Sequence, residues 1–170
     1  MEKITLGKSS LKVSRIGLGT LALGHPRKGI QDKNEIFNII NYALDNGINF
    51  IDTAEEYSGG LTEQYIGEVI KERNERDDVI VCTKVMPIHL SYSNVLKATE
   101  NSLKRLQTDY IDILLVHWPW CYNPISETMK AMDKLLSEGK IRYVGLSNFQ
   151  NALVQEAIDT IDNGQIIVNE

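Results

Sequence analysis

The chain has 170 residues, 42 % of them hydrophobic and 24 % charged, with 18 basic side chains, 23 acidic ones and a formal net charge of −5. This length and composition argue against disorder and predict a single domain over residues 1–170. The negative charge, with no stripe of Lys and Arg, argues against nucleic-acid binding. Small molecules are therefore the expected partners.

The sequence also predicts a cytoplasmic protein with no membrane partner. No run approaches the roughly 20 apolar residues of a membrane span. The first eight residues, MEKITLGK, lack the apolar segment of a secretory signal. The two cysteines, Cys82 and Cys121, are too few for a disulfide framework and have no zinc-type spacing, so both are predicted to be plain thiols.

Short β-branched runs alternate with helix-length segments along the chain. The runs at 4–6 and 11–13 predict a β-hairpin over about 4–13. Six further runs then predict βα units over about 15–170, with strands at 15–20, 49–53, 79–85, 111–118, 142–148 and 166–169. Segments such as 36–44 and 129–136 between them carry apolar residues at helical spacing.

Boundary residues support these helices. Predicted N-caps are Asp32, which is followed by Glu35 as in a capping box, Thr62 and Ser126. Gly47 and Gly139 stand where a left-handed residue would end a helix. The charged run 71–78 (KERNERDD) is interpreted as a solvated helix end and loop.

The ends of the predicted strands recur every 31 to 33 residues, at Gly19, Asp52, Lys84, His117 and Asn148. Helical repeats of about 34 residues lack a strand in every unit. A parallel βα barrel, with roughly 30 residues per unit, fits this period better.

Reactive groups of such folds gather at the carboxyl ends of the strands, and here these ends carry Asp52, Lys84 and His117, with Tyr57 in the loop after Asp52. Taken singly, these residues have structural explanations: a helix cap, a solvated strand end or a packed histidine. Their recurrence at a constant period favours a functional site.

These residue types suit the proton transfer of a carbonyl reduction. A free phenol has a pKa near 10, and a neighbouring ammonium lowers it, so Lys84 is predicted to lower the pKa of Tyr57 while Asp52 keeps Lys84 charged. His117 would hydrogen-bond the carbonyl oxygen and orient the substrate. No side chain supplies a hydride, which implies a nicotinamide cofactor.

The chain resembles the aldo-keto reductases in a series of motifs that follow one another in order. They are FIDTAxxY at 50–57 continuing to ExxIG at 63–67, TKV at 83–85, LVHWP at 115–119 and GLSNF at 145–149. The resemblance implies an α/β fold, a (β/α)8 barrel of TIM-barrel type with an N-terminal hairpin, here truncated after the sixth strand. It implies reduction of an aldehyde or ketone with NADP(H), or less often NAD(H).

The resemblance also assigns residues. It implies that Tyr57 is the proton donor, with Asp52, Lys84 and His117 completing a catalytic tetrad, and that Trp118 contributes to the substrate pocket. The residues implied to bind the cofactor are Gly19, Thr20 and Asp52 on the nicotinamide side, Ser147 and Asn148 at its carboxamide, and Glu170, which stands where the family commonly has Gln.

Six strands leave two barrel edges open, and two βα units of the family pattern are missing. Three interpretations remain: a fragment of a longer reductase, a chain that self-associates or pairs with a completing chain, and an open half-barrel without catalysis. Alternative functions are a nucleotide-sensing subunit and a Schiff-base aldolase that uses Lys84. The substrate and the choice between NADP and NAD are left open.

Overall fold

A six-stranded parallel sheet forms the centre of the computed structural model, which describes residues 1–27, 29–119 and 123–170. Its strands are β3 (Leu18–Gly19), β4 (Phe50–Asp52), β5 (Ile80–Val85), β6 (Ile111–Val116), β7 (Ile141–Leu146) and β8 (Ile166–Asn169). They pair in chain order, β3 to β8, each parallel to the next. An antiparallel hairpin of β1 (Lys3–Thr5) and β2 (Lys12–Ser14) precedes the sheet.

One helix connects each pair of consecutive strands of the sheet. The helices are α1 (Lys33–Asp45), α2 (Leu61–Arg73), α3 (Tyr92–Leu106), α4 (Ile125–Ser137) and α5 (Asn151–Thr160). Short 3₁₀ turns at Tyr57–Gly60, Arg76–Asp78 and Pro87–His89 lie in the connections. The predicted α/β fold of TIM-barrel type, with an N-terminal hairpin ahead of six parallel strands, is thus confirmed.

Several helix boundaries follow the predicted signals. The Asp32 carboxylate accepts a hydrogen bond of 2.8 Å from the backbone N–H of Glu35 and so caps α1. Gly47 and Gly139 follow α1 and α4 with φ of 80° and 69°. Glycine suits these positions because a left-handed backbone carries a steric penalty for residues with a Cβ.

The other two predicted N-caps are wrong. Thr62 lies inside α2, and its hydroxyl donates to the carbonyl of Leu23 at 2.8 Å, so a tertiary contact takes the group that would have capped the helix. Pro124 precedes α4, which places Ser126 in the first turn of that helix. Near a helix start, proline loses no intrahelical hydrogen bond by lacking an N–H.

Both faces of the sheet are apolar. On β5, Val81 and Val85 point outward into the main core between sheet and helices, whereas Ile80 and Cys82 point into a second cluster on the inner face. This alternation follows from the two-residue period of a strand. Burial on both sides explains why the strands are continuous apolar runs in the sequence.

The hairpin covers the inner cluster beside the start of β4. Leu11 and Val13 pack in that cluster, and Asn49, immediately before β4, exchanges hydrogen bonds with Ser14. The Asn49 Oδ1 accepts from the Ser14 N–H at 2.6 Å, and the Asn49 N–H donates to the Ser14 hydroxyl at 3.1 Å. The amino-terminal end of the sheet is therefore closed, while the carboxyl ends lie opposite.

Cys82 is a free, buried thiol, as predicted, and burial raises its pKa. Cys121, the other predicted plain thiol, lies outside the described residues. In the ranges that the structure describes, no helix has the length and apolarity needed to cross a membrane.

The charged run 71–78 is more than the solvated segment that the sequence predicted. Arg76 bonds the carboxylate of Asp112 at 2.8 Å, and that carboxylate is fully buried. Asp112 also accepts from Arg142 at 3.0 Å and from the Val81 N–H at 3.0 Å. The guanidinium groups of Arg76, in the 3₁₀ turn, and Arg142, on β7, each lie 3.9 Å from the ring centre of Tyr110. This cluster links the turn after α2 to three strands.

We expect Asp112→Asn to lower the free energy of unfolding by about 2 to 3 kcal/mol. Breaking a buried ion pair typically costs ~3–5 kcal/mol, and both arginines here keep some access to water, which reduces the loss. Asp109→Asn removes an exposed carboxylate three residues earlier and serves as the control. Urea unfolding of both variants checks this; equal midpoints for the two would contradict a structural role of the Asp112 cluster.

Candidate active site

The polar residues that the sequence places at strand ends lie together at the carboxyl end of the parallel sheet. In the register of the parallel pairs, Gly19 is opposite Asp52 on β4, and Lys84 on β5 is opposite Leu115 on β6. His117 follows β6 directly, and its N–H donates to the carbonyl of Val85 at 3.0 Å. Ser147 with Asn148 and then Glu170 come after β7 and β8.

Lys84 is the centre of this group, and only 2 % of its side chain is exposed. Its Nζ contacts Asp52 Oδ1 at 2.5 Å, the carbonyl oxygen of Thr53 at 3.1 Å and the hydroxyl oxygen of Tyr57 at 3.5 Å. A second carboxylate, that of Glu170, lies 3.4 Å away. Protein oxygen atoms thus replace the water molecules that the ammonium lost when it was buried.

The charges of this pair are set by burial and by each other. Burial works to lower the pKa of Lys84, but the neighbouring Asp52 carboxylate outweighs it and the pKa is raised above the usual 10.5. Burial raises the pKa of Asp52, and Lys84 opposes that rise. Lys84 is therefore an ammonium at neutral pH, as predicted.

Tyr57 begins the turn before α2. In that turn Ser58 and Gly59 have φ of 53° and 66°, a left-handed backbone that turns the chain sharply after the tyrosine. Burial raises the pKa of Tyr57, and Lys84 pulls the pKa downward without cancelling this effect. The predicted net lowering of the Tyr57 pKa is therefore wrong, because half-burial of the phenol outweighs the ammonium.

His117 packs its ring edge to face against Tyr57, with 5.9 Å between the ring centres and 71° between the planes. Burial lowers the pKa of His117, and the nearby Glu56 carboxylate acts in the opposite direction. Its Nδ1 lies 3.1 Å from a carboxylate oxygen of Glu56. The predicted set of Asp52, Tyr57, Lys84 and His117 is brought together at one place.

The predicted cofactor residues differ in whether their polar groups already make hydrogen bonds within the protein. Thr20 is fully buried, and its hydroxyl donates to the carbonyl of Asp52 at 2.8 Å. Asn148 is exposed, with φ of 64°, and its Nδ2 donates to the His117 carbonyl at 3.0 Å and to the Ser147 hydroxyl at 2.9 Å. Gly19 is exposed, and a Cβ built on it would meet no atom within 4 Å.

A cleft of about 580 Å³ lies against Tyr57. Its walls are Leu21, Gly24, His25, Pro26, Glu56, Tyr57, Ser58 and Gly59. Leu21 is 57 % exposed and Trp118, in the loop after β6, is 51 % exposed. Both apolar side chains are thus open to solvent, and Leu21 shares the cleft with Tyr57.

Sequence reasoning missed the two glutamates immediately before Tyr57. Glu55 accepts hydrogen bonds from the Met86 N–H at 2.7 Å and pairs with His89 Nδ1 at 3.0 Å, which ties the loop after β4 to the loop after β5. Glu56 approaches His117. Their position between two motif residues was the available signal, since two adjacent acids there can face two different histidines.

The fold places the chain among α/β proteins of TIM-barrel type. A model of the aldo/keto reductase family matches residues 15–169, which is most of the sequence, and the chain belongs to this family.

Individual relatives agree with this assignment. The chain is 43 % identical over 157 residues to the aldo-keto reductase YhdN of Bacillus subtilis, covering 88 % of the chain and 47 % of that protein. It thus spans about half the length of this curated relative. Its structure matches the thermostable aldo-keto reductase Tm1743 bound to the inhibitor epalrestat, with a TM-score of 0.92, 38 % identity and coverage of 99 % and 61 % of the two chains.

A second solved structure is an aldo-keto reductase from Klebsiella pneumoniae in complex with NADPH. The TM-score is 0.87 and the identity 37 %, and the match covers 99 % of this chain and 57 % of the other.

We expect the ion pair of Lys84 with Asp52 to make the free energy of unfolding fall in alkaline solution. The pKa of Lys84 is raised on folding, so its contribution is complete below the unfolded value of 10.5 and is lost as pH rises further, by up to about 1.4 kcal/mol per pH unit for one proton. Lys84→Met lacks this contribution and should show a shallower loss between pH 10 and 11.5. Urea unfolding across that range, with the exposed Lys97→Met as control, measures it; identical slopes for wild type and Lys84→Met would contradict the assignment.

Proposed function

We propose that this chain carries the catalytic centre of an NADP(H)-dependent reductase that converts an aldehyde or ketone to an alcohol, with Tyr57 as proton donor. One observation carries the proposal. The buried ammonium of Lys84 joins the Asp52 carboxylate, at 2.5 Å, to the Tyr57 hydroxyl, at 3.5 Å. An acid, a cation and a phenol in contact form a path for moving one proton to and from an oxygen atom.

The raised pKa of Tyr57 suits the direction of reduction. A phenol that remains protonated at neutral pH can give its proton to a carbonyl oxygen as negative charge develops there. The phenolate left behind lies beside the Lys84 ammonium, which stabilises it. Asp52 holds that ammonium in position, so its role is electrostatic and orienting.

His117 is the proposed partner of the same substrate oxygen. Its backbone is held by the hydrogen bond to Val85, and its ring is buried and meets Tyr57 edge to face. Two groups directed at one oxygen orient the carbonyl and raise the fraction of productive encounters. The cleft beside Tyr57 is the proposed approach for a small-molecule carbonyl substrate, and the exposed indole of Trp118 is its proposed apolar contact.

The residues at the strand ends fit a nicotinamide cofactor. Gly19 leaves open space beside Asp52, as a flat ring requires, and the Oδ1 of Asn148 makes no hydrogen bond within the described ranges and can accept from a carboxamide N–H. We assign Gly19, Asp52, Ser147, Asn148 and Glu170 to direct contacts, and Thr20 to holding Asp52. When bound, NADP(H) supplies the hydride.

The choice of NADP follows the relatives. The Klebsiella pneumoniae neighbour is complexed with NADPH, and NAD stays a second candidate. The chain spans about half the length of its relatives, so carbonyl reduction, which they would carry out with a whole barrel, is for this chain part of the proposal. We also propose that the edge strands β3 and β8 pair with a second copy of the chain or with another chain that completes the barrel. The single domain over 1–170 and the cytoplasmic location stay predictions.

We expect the purified chain to bind NADPH, and Tyr57→Phe to lose carbonyl reduction by at least about 100-fold while its NADPH affinity stays within a few-fold. The loss follows because a positioned general acid typically contributes 10²–10⁴ in rate. Fluorescence titration gives the affinity, and the oxidation of NADPH by a panel of aldehydes and ketones gives the turnover.

Tyr42→Phe, which removes an exposed hydroxyl on α1, is the matched control and should change neither quantity. Turnover that survives Tyr57→Phe would remove Tyr57 from the role of proton donor. NADPH binding without turnover by the wild-type chain would favour a nucleotide-sensing subunit, and a folded chain that fails to bind NADPH would exclude the proposed activity for this chain alone.

The structure argues against a Schiff-base aldolase. An amine attacks a carbonyl only when it is unprotonated, and the raised pKa of Lys84 keeps it an ammonium. We therefore expect borohydride, added with a carbonyl substrate at neutral pH, to trap no adduct on Lys84. Mass spectrometry of the digested protein tests this; a reduced adduct at Lys84 that is absent from Lys84→Met would establish the aldolase mechanism instead.

A further inference from the structure

Glu56 stands in an unusual relation to His117. The histidine side chain is 9 % exposed, and its Nδ1 is buried without a hydrogen-bond partner in the part of the chain that the structure describes. A carboxylate oxygen of Glu56 nevertheless lies 3.1 Å from this atom. The separation is that of an ion pair, but the oxygen lies off the direction in which an N–H bond of the ring would point.

The chemistry of the two groups decides where the proton resides. The negative charge of a carboxylate 3.1 Å away attracts a proton on the nearer ring nitrogen, so the N–H form of Nδ1 is favoured even without an aligned hydrogen bond. A neutral imidazole has one N–H and one bare nitrogen. If Nδ1 carries the proton, Nε2 is bare in the neutral ring and becomes a donor only in the imidazolium.

We infer that Glu56 is a positioning residue, which keeps the proton on Nδ1 of His117 and thereby makes Nε2 an acceptor in the neutral ring and a donor in the charged one. This inference deepens the proposed function and rests on it only for its catalytic consequence. A carbonyl oxygen needs a donor, whereas an alcohol hydroxyl can donate to an acceptor. Only the charged ring can therefore take the role proposed above at a carbonyl oxygen, so reduction should be fastest below the pKa of His117. The neutral ring would instead accept a hydrogen bond from an alcohol hydroxyl.

Other charged and titratable groups also face His117. Burial lowers its pKa, and Glu56 on the loop after β4 acts against burial. Lys84 on β5 lowers the pKa of His117, while Glu170 after β8 and Glu55 on the same loop raise it. The phenol of Tyr57 packs against the ring. Among these charges Glu56 lies against the ring nitrogen itself, so its removal should have the largest effect.

The state of His117 can be measured without cofactor or substrate. The chain has three histidines, so a sample labelled with ¹⁵N in histidine gives a spectrum simple enough to assign with His117→Gln. We expect the wild-type ring near neutral pH to be the Nδ1–H tautomer. Glu56→Gln should reduce the protonation constant of His117 about threefold or more, as for the loss of one partly exposed ion pair, and should increase the Nε2–H fraction.

Glu55→Gln is the matched control, because it removes the same charge one residue earlier from a carboxylate that bonds Met86 and His89. It should shift His117 less than Glu56→Gln does. An Nε2–H tautomer in the wild type, an unchanged His117 in Glu56→Gln, or equal shifts in both variants would each overturn the inference.

Turnover separates this inference from the proposed function. In a chain that reduces carbonyls, Glu56→Gln should move the limb of the pH–rate profile that belongs to His117 to lower pH, alongside the shift seen by NMR. A chain with the expected His117 spectrum but no reduction contradicts the proposed function alone. If the chain reduces carbonyls but Glu56→Gln changes neither the pH–rate profile nor the His117 spectrum, only the inference is contradicted.

Discussion

The buried ammonium of Lys84 is the charge around which the carboxyl ends of the strands are arranged. Removing an ammonium from water costs several kcal/mol even after relaxation, so a site that buries one needs oxygen atoms held close to it. Asp52, the Thr53 carbonyl and Tyr57 supply these atoms from the end of β4 and the loop after it, and Glu170 supplies one from the end of β8. Displacing any of these strands would separate Lys84 from a partner, so the electrostatics of the site and the pairing of the strands depend on each other.

The strand β5, which carries Lys84, is also held by hydrogen bonds on its opposite face, where the helices pack. Thr83, the preceding residue, points to the opposite face, where its hydroxyl donates to the fully buried carboxylate of Glu63 on α2 at 2.6 Å. The same carboxylate accepts from Arg105 on α3 at 2.6 Å. Neighbouring residues of β5 thus bond the helices on one side and the site on the other, which fixes the direction of the lysine stem.

The sequence was informative where burial or topology dictates residue type. Strands buried on both faces must be continuous apolar runs, and the strand ends of a parallel sheet meet on one side. The period from Gly19 to Asn148 therefore predicted the fold and the polar residues that lie together at the strand ends. It also marked Asp32 as a cap, because that interaction is local in the chain.

What the sequence missed depends on distances between remote segments. The pKa of Tyr57 moves upward because the phenol is half-buried, and burial cannot be read from neighbours in sequence. The approach of Glu56 to His117 joins the loop after β4 to the end of β6, and these segments are far apart in the chain. Arg76 and Asp112 belong to different βα units, so the charged run gave no sign of its buried partner.

The order of the strands has a consequence for how the protein is made. Each strand of the sheet pairs with the strand that follows it in the chain, and each pairing spans one βα unit. The entropy lost in closing a loop grows only with the logarithm of its length, so these successive closures carry similar penalties and none requires distant parts of the chain to meet first. Such a sheet can be assembled in the order in which its residues are synthesised, each new helix covering the outer face of strands already in place.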